Sequence, residues 1–221
     1  MRKAFLEVKE QSIVLIGNFN PAIFHPQWLA RKDLIGSADA DKASITVNHP
    51  DISEFQLSFC NIQVLVDRFS ITSSQETHFK SIRDLVINIL KFLPETPVIQ
   101  MGINLEHHYN FSDEKEYIQF GHIIVPKKPL WDSITDDPGV EKISIRFKQD
   151  EGYEGHKVIT LNPSNKYKLG VRLQVNDHLD LLSSTPDASM AISLLEKKYD
   201  LSIEKSSQLI EKVFNYGISS K

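Results

Sequence analysis

The most regular pattern of apolar residues in this 221-residue chain predicts an amphipathic helix over residues 75–93. Apolar side chains recur there every three or four positions, which is the spacing of one helical face. They are Phe79, Ile82, Val86, Ile89, Leu90 and Leu93. Ser73 followed by Glu76 has the form of a capping box, and Pro94 ends the pattern. We therefore expect a helix whose apolar face lies on a sheet.

Alternation of apolar and polar residues predicts strands on both sides of this helix. The runs before it are 12–16, 55–59, 62–66 and 69–71, and the opposite phase of the second and third runs indicates a turn or bulge near Cys60. The runs after it are 98–109, 143–147, 158–161 and 169–175. Shorter helices are predicted around 28–35 and 113–123.

Two further helices are predicted near the C-terminal end of the sequence. The first begins at Thr185 and Pro186 and has Met190, Leu194 and Leu195 on its apolar face. The second covers 203–216 and stops at Gly217. Its stripe is formed by Leu209, Ile210, Val213 and Phe214. A stripe of this kind must be covered by protein, either the chain's own sheet or a second chain.

The order of these elements predicts an α+β fold with antiparallel sheet and long amphipathic helices packed on one face. Each half of the chain has the pattern of several strands followed by a helix. We place the halves at 1–125, which contains the 75–93 helix, and 126–221, which contains the C-terminal helices. The proline-containing segment 126–138 marks the boundary, and no linker composition separates the halves. The chain is therefore expected to form one compact unit.

Charge and cysteine content restrict the function classes. The chain has 25 basic and 29 acidic residues, a net charge of −4, which does not favour binding to a phosphate backbone. Its single cysteine, Cys60, cannot form an intramolecular disulfide, and this predicts a cytoplasmic protein. No apolar run reaches the roughly 18 residues of a membrane-spanning helix, so no membrane partner is expected.

Several segments resemble a group of uncharacterised bacterial proteins of similar length. They are 62–69 (IQVLVDRF), 83–85 (RDL), 96–98 (TPV), 101–104 (MGIN) and 175–178 (VNDH). The resemblance covers the chain from about Phe19 onward. It implies a bacterial origin, an intracellular accessory role and an association with defence or mobile-element loci, and it transfers no activity, cofactor or catalytic residue.

Histidines suggest the one metal hypothesis that the residues offer. The candidate ligands are His107, His122, Asp177 and His178, because imidazole and carboxylate groups bind transition metals. His107 and His108 are adjacent on a predicted strand and would point to opposite faces. No HExxH or CxxC spacing occurs, and singly hydrogen-bonded histidines explain the pattern equally well. Asn176, Asp177 and His178 also fit a turn that ends a strand.

The absence of catalytic motifs determines the favoured function. No GxSxG, GxGxxG or GxxxxGK[ST] motif occurs, and Cys60 lies in an apolar run where a thiol behaves as a small hydrophobe. We expect a non-enzymatic binding or assembly subunit without a cofactor, whose partner is another protein subunit or a second copy of the chain. The alternative is a metal-dependent hydrolase or nuclease that uses the His/Asp candidates.

Overall fold

The computed structural model describes residues 4–126, 130–136, 138–148, 153–181 and 183–219. These residues form nine strands. The strands are β1 (Ala4–Gly17), β2 (Ser44–His49), β3 (Ile52–Gln56), β4 (Asn61–Leu65), β5 (Arg68–Ser73), β6 (Val98–Phe111), β7 (Ile143–Lys148), β8 (Gly155–Pro163) and β9 (Gly170–Asp180). They pair in one antiparallel sheet in the order β2-β3-β4-β5-β1-β6-β9-β8-β7.

Within the described ranges, five α-helices accompany the sheet. They are α1 (Pro26–Arg31), α2 (Ser37–Asp41), α3 (Phe79–Phe92), α4 (Glu114–Ile124) and α5 (Ser189–Ser219). Helix α3 packs on β5 and β1, α5 packs on β6 and β9, and α4 packs against α5 and β6. The predicted mixed fold, with a large antiparallel sheet and a long C-terminal helix packed against it, is confirmed. None of the helices that the structure describes is long and apolar enough to cross a membrane.

The sheet has an approximate twofold symmetry of topology about its centre, where β1 pairs with β6. Outward from β1 lie β5, β4 and β3, and outward from β6 lie β9, β8 and β7. Helix α3 follows β5 in the chain as α5 follows β9. The two sides of the sheet therefore have matching positions, which can be compared residue by residue through the strand register.

One row of side chains crosses the sheet on the face that the helices cover, which we name the covered row. Because side chains alternate between the faces of a strand, residues in direct register lie on the same face. From β3 to β7 the covered row is Phe55, Ile62, Ile71, Ile13, Ile103, Asp177, Lys157 and Phe147. The β1 half of the row is wholly apolar, whereas the β6 half contains an aspartate and a lysine.

The predicted apolar face of α3 is confirmed, but the predicted cap is wrong. Phe79, Ile82 and Val86 are buried, as are Ile89 and Leu90 on the following turns. Ser73 belongs to strand β5, and its hydroxyl donates to the carbonyl oxygen of Phe59 at 2.7 Å. Glu76 pairs with Lys9 at 2.7 Å, so neither residue caps α3. The cap pattern is misleading because Ser73 is satisfied by a tertiary contact.

Cys60 lies where a turn was predicted between two strands. The turn joins β3 and β4, and the amide of Leu57 donates to the carbonyl oxygen of Cys60 at 2.8 Å. The thiol is only 5% exposed, and burial raises the pKa of Cys60 to about 12. The thiol therefore stays protonated near neutral pH, in agreement with the prediction of a small hydrophobe.

The C-terminal region is one continuous helix of 31 residues, and the prediction of two helices is wrong. No glycine or proline lies between Ser189 and Tyr216. The apolar pattern in the sequence is interrupted in the middle of α5, because the buried positions there are Tyr199, Ser202 and Ser206. Met190, predicted to lie on the stripe, is 38% exposed, and Ala191 takes the buried position.

The end of α5 is covered by the chain itself. Phe214 stacks on Tyr109 of β6 with ring centroids 3.6 Å apart, and Ile210 is fully buried. Gly217 lies inside the helix, contrary to the predicted stop. A Cβ atom at this position would lie 2.3 Å from the Phe120 ring, so a glycine is required where α4 approaches α5. The intramolecular alternative for the stripe is therefore confirmed.

Candidate functional site on the open face of the sheet

The sheet face opposite the helices, which we name the open face, consists largely of polar side chains. Two of its cross-strand rows run through the centre of the sheet. One consists of Asn61, Thr72, Ser12, Asn104, Asn176, Val158 and Arg146. The other consists of Gln63, Ser70, Val14, Gly102, His178, His156 and Lys148. An antiparallel sheet with one solvated face shows this division of apolar and polar residues.

A hollow of about 580 Å³ lies at the centre of the open face. Gly102 contributes no side chain at the middle of β6, between Val14 and His178. A Cβ atom on Gly102 would lie 3.0 Å from the amide nitrogen of Asn176. The glycine therefore leaves space at the floor of the hollow. The remaining lining residues are Ser12, Ile16, Arg68, Ser70, Gln100, Met101, Asn104, Gln174 and Asn176.

Hydrogen bonds join three polar side chains in a row across the floor of the hollow. Asn176 Nδ2 donates to Asn104 Oδ1 at 2.5 Å, and Asn104 Nδ2 donates to Ser12 Oγ at 3.1 Å. We name this set the amide row. Asn104 is only 7% exposed although it lies on the open face. The three strands of the amide row, β1, β6 and β9, hold it rigidly because each residue is in direct register with the next.

Beside the hollow, a network of ion pairs occupies the end of the open face nearest loop 164–169. Glu106 binds the guanidinium of Arg172 and lies 2.6 Å from His108 Nε2. Lys166 pairs with Glu10, the β1 neighbour of Glu106. Burial acts to raise the pKa of Glu106, but hydrogen bonds and charge from Arg172 and His108 outweigh it and hold this pKa low. Glu10, Glu106 and His108 have metal-ligating groups close together, yet cations of the protein already neutralise both carboxylates.

A second group of metal-ligating side chains lies at the rim of the hollow. His156 and His178 are direct neighbours on β8 and β9, with ring centroids 4.6 Å apart. His178 Nε2 lies 3.2 Å from Asp180 Oδ1, and Arg146 Nη2 lies 3.1 Å from His156 Nδ1. Burial, followed by the charges of Arg146 and His178, lowers the pKa of His156.

The structure does not bring the four predicted metal ligands to one site. His107 lies on the covered side, 1% exposed, and burial lowers the pKa of His107 to about 4. Asp177 is also on the covered side, whereas His178 points to the open face. His122 is exposed on α4. The interpretation of Asn176, Asp177 and His178 as a turn is wrong, because all three lie within β9.

Asp177 instead takes part in a buried polar cluster between the sheet and α5. Its Oδ2 atom lies 3.2 Å from Lys157 Nζ and accepts a hydrogen bond from Ser202 Oγ at 2.5 Å. Farther along the sheet, the Tyr199 hydroxyl lies 2.5 Å from Gln11 Oε1. Ser202 and Tyr199 of α5 thus bond polar groups of the strands, whereas the buried hydroxyl of Ser206 has no hydrogen-bond partner among the described residues. This arrangement aligns α5 with β8 and β9.

Apart from His178, the residues that line the hollow were not predicted from the sequence as site residues. No local sequence pattern marks Ser12, Gly102 or Asn104. They become neighbours only through the pairing of β1, β6 and β9. His156 was also missed. Asp180 follows the candidate His178 by two positions, and residues two apart on a strand share a face. Comparison with models of known protein families and with curated proteins finds no match.

Proposed function

We propose that this protein is a non-enzymatic binding subunit that recognises an extended segment of another protein in the hollow of its open face. The observation that carries the proposal is the amide row, whose hydrogen-bonded side chains lie next to the space that Gly102 leaves in the floor of the hollow. The hollow has a volume of about 580 Å³, which lies in the usual range for binding pockets.

The hydrogen-bonding capacity of the amide row fits a polypeptide backbone. A side-chain amide has two N–H donors and an oxygen with two acceptor positions, and the hydroxyl of a serine both donates and accepts. Each amide of the row uses only one of its own N–H donors within the row. Every residue of an extended peptide offers one donor and one acceptor, except proline. Asn104 and Asn176 can therefore bind peptide groups in either direction.

Charge favours a protein segment over a nucleic acid. Of the described residues that line the hollow, Arg68 and His178 are ionisable, and the others have neutral or apolar side chains. Binding to a phosphate backbone gains its free energy from several lysines and arginines that release counterions. The net charge of −4 adds no attraction of that kind. Val14 and Ile16 supply apolar surface for alternate side chains of a bound segment.

The proposed setting is a multiprotein complex in the cytoplasm. A single, buried and protonated thiol at Cys60 suits a reducing compartment, since it takes no part in a disulfide. The bacterial origin and the link to defence loci rest only on the resemblance described above. The partner is a different protein in this proposal, and a second copy of the chain is an outcome that the experiment separates.

Photo-crosslinking from the hollow tests the proposal. A benzophenone amino acid at Ser70, inside the hollow, is compared with the same group at Ser144 on edge strand β7 of the open face. We expect the Ser70 probe, and not the Ser144 probe, to capture one protein from extracts of the host. The mass of the product distinguishes a different protein from a second copy.

A blocking variant then quantifies the binding of the captured protein. Ser70→Trp fills the hollow and should weaken binding by at least about tenfold, a loss near 1.4 kcal/mol, whereas Ser144→Trp should leave the Kd within about twofold. Circular dichroism checks that both variants are folded. Equal capture from both positions, capture of nucleic acid, or unchanged affinity in Ser70→Trp would contradict the proposal.

A further inference from the structure

Three metal-ligating side chains meet at one end of the open face. His156 and His178 face each other across β8 and β9, and Asp180 follows His178 by two positions on the same face. Their ligand atoms all lie within 4.8 Å of one another. All three residues are half-buried, so the cluster is supported by the sheet and still reaches solvent.

We propose that His156, His178 and Asp180 form a binding site for a divalent transition-metal ion such as Zn²⁺. Two imidazoles and a carboxylate are common protein ligands of zinc, and nickel and cobalt accept the same set. Their positions on paired strands place them without help from a mobile loop. The site goes beyond the proposed binding of a protein segment, and neither requires the other.

The distances are compatible with a tetrahedral ion after small side-chain rotations. With metal–ligand bonds of about 2.0–2.1 Å, ligand atoms in a tetrahedral site lie about 3.4 Å apart. His178 Nε2 and Asp180 Oδ1 are already 3.2 Å apart. The His156 ring must rotate toward them, since the two imidazole centroids are separated by 4.6 Å. Three protein ligands leave a fourth position open toward the solvent, for water or for a group of a bound molecule.

The neighbouring polar groups both support and oppose the ion. Gln100 Nε2 donates to Asp180 Oδ1 at 3.2 Å and orients the carboxylate, as outer hydrogen bonds do in metal sites. The guanidinium of Arg146 opposes the ion, because Arg146 Nη2 lies 3.1 Å from His156 Nδ1 and carries a positive charge. Arg146 must therefore release His156 when a metal binds. Removing its charge should strengthen binding, an effect that a surface histidine without a metal role would not show.

Isothermal titration of the full chain with Zn²⁺ at neutral pH tests the site, and Co²⁺ provides an absorption spectrum that reports tetrahedral geometry. We expect one ion per chain with a Kd below about 10 µM. His156→Ala, His178→Ala and Asp180→Asn should each weaken binding more than about tenfold. Arg146→Gln should strengthen binding several-fold. His122→Ala, an exposed histidine on α4, is the matched control and should bind as the unmodified protein does.

Several results would overturn the site. They are a Kd above about 10 µM for the unmodified chain, stoichiometric binding that survives His178→Ala, or binding lost on changing His108, which lies in the separate ion-pair network. Circular dichroism of each variant separates loss of a ligand from loss of the fold. Ser70→Trp should retain the metal, so failure of the metal site and failure of the protein-binding proposal remain distinguishable.

Discussion

The two sides of the sheet use the same positions of the covered row in different ways. On the β1 side, Ile62 and Ile71 lie fully buried on the face that the helices cover. At the matching positions on the β6 side, Lys157 and Asp177 form an ion pair under α5. The helices differ in the same sense, because α3 buries aliphatic side chains and the middle of α5 buries a tyrosine and two serines.

This difference concerns two separate properties, the stability of the fold and the alignment of α5 on the sheet. Burying an aliphatic side chain gains roughly 1.5–3 kcal/mol. Moving two charges out of water costs several kcal/mol, which their attraction only offsets when the geometry is good. A shift of α5 that separated these polar groups would, however, leave a buried charge uncompensated, which is strongly destabilising. We infer that the β1 side supplies hydrophobic stability and that Asp177, with Lys157 and Ser202, determines the position of α5.

The largest effect is expected when the β1 side is given half of an ion pair. Ile71→Asp places a carboxyl at the position that matches Asp177, where Ile62 stands in place of a lysine. The unpaired group should lower the free energy of unfolding by about 5 kcal/mol or more, measured by urea denaturation. Ile45→Asp is the control, because Ile45 extends the same row on edge strand β2 and is 45% exposed. Similar losses in both variants would show that position 71 is not a buried site equivalent to that of Asp177.

A loss of about 3–5 kcal/mol is expected when the β6 side loses half of its pair. Asp177→Ile leaves the buried ammonium of Lys157 without its carboxylate. Urea denaturation measures the loss, and Asp41→Asn on the surface of α2 is the neutral control. A stability within about 1 kcal/mol of the unmodified protein would show that Lys157 reaches water, in conflict with its burial.

Acid should destabilise the protein through His107, a residue of the covered face on the β6 side. Its pKa is about 4 in the fold and 6.5 in a model compound, because burial disfavours the charged ring. The unfolded chain therefore binds the proton first, and stability is complete above about pH 6.5 and decreases as the pH falls toward 4. The total loss is on the order of 3 kcal/mol.

Urea denaturation of His107→Leu at several pH values measures this contribution. The decrease in stability between about pH 6.5 and 4 should become shallower in the variant. His49→Leu, at an exposed position in β2, should keep the slope of the unmodified protein. An unchanged slope in His107→Leu would assign the acid sensitivity to other groups.

The smallest effect is expected when the β6 side is converted to the pattern of the β1 side. Asp177→Ile combined with Lys157→Ile restores an aliphatic pair, and stability should return to within about 1 kcal/mol of the unmodified protein. Amide hydrogen exchange along α5 should nevertheless increase, since Ser202 loses its acceptor. A double variant as unstable as Asp177→Ile alone would show that the pair itself supplies stability, and unchanged exchange along α5 would contradict its role in alignment.

Elements with strong local periodicity could be predicted from the sequence. The apolar face of α3 and the strand at 61–65 follow from residue spacing, because burial of one face requires that spacing. The strand at 143–148 has the same alternation, although none of its residues is buried. Strand β2, with its exposed residues at the edge of the sheet, has a weaker pattern and was not predicted. The middle of α5 was missed because its buried residues there are polar, and no apolar pattern can indicate them. Tyr199 and Ser202 bond Gln11 and Asp177, and Ser206 is buried without a hydrogen bond among the described residues.

The candidate sites depend on contacts between residues distant in the chain. His178 was a candidate from the sequence, but its neighbour His156 comes from a different strand, β8. Because side chains alternate along β9, Asp177 and His178 lie on opposite faces of the sheet. The amide row joins Ser12, Asn104 and Asn176, which are separated by 92 and 72 residues. No local spacing can indicate such a set.

Apolar spacing was enough to predict the α+β class, the amphipathic face of α3 and the buried character of Cys60, because each follows from the pattern of residues within short segments. Which polar residues become buried, and which meet on the open face, depends on the assembled sheet. Strand order and register decide this, since they bring β1, β6 and β9 side by side and assign alternate residues of β9 to opposite faces of the sheet. Asp177 and His178 are adjacent in the chain, yet one aligns α5 and the other lines the hollow.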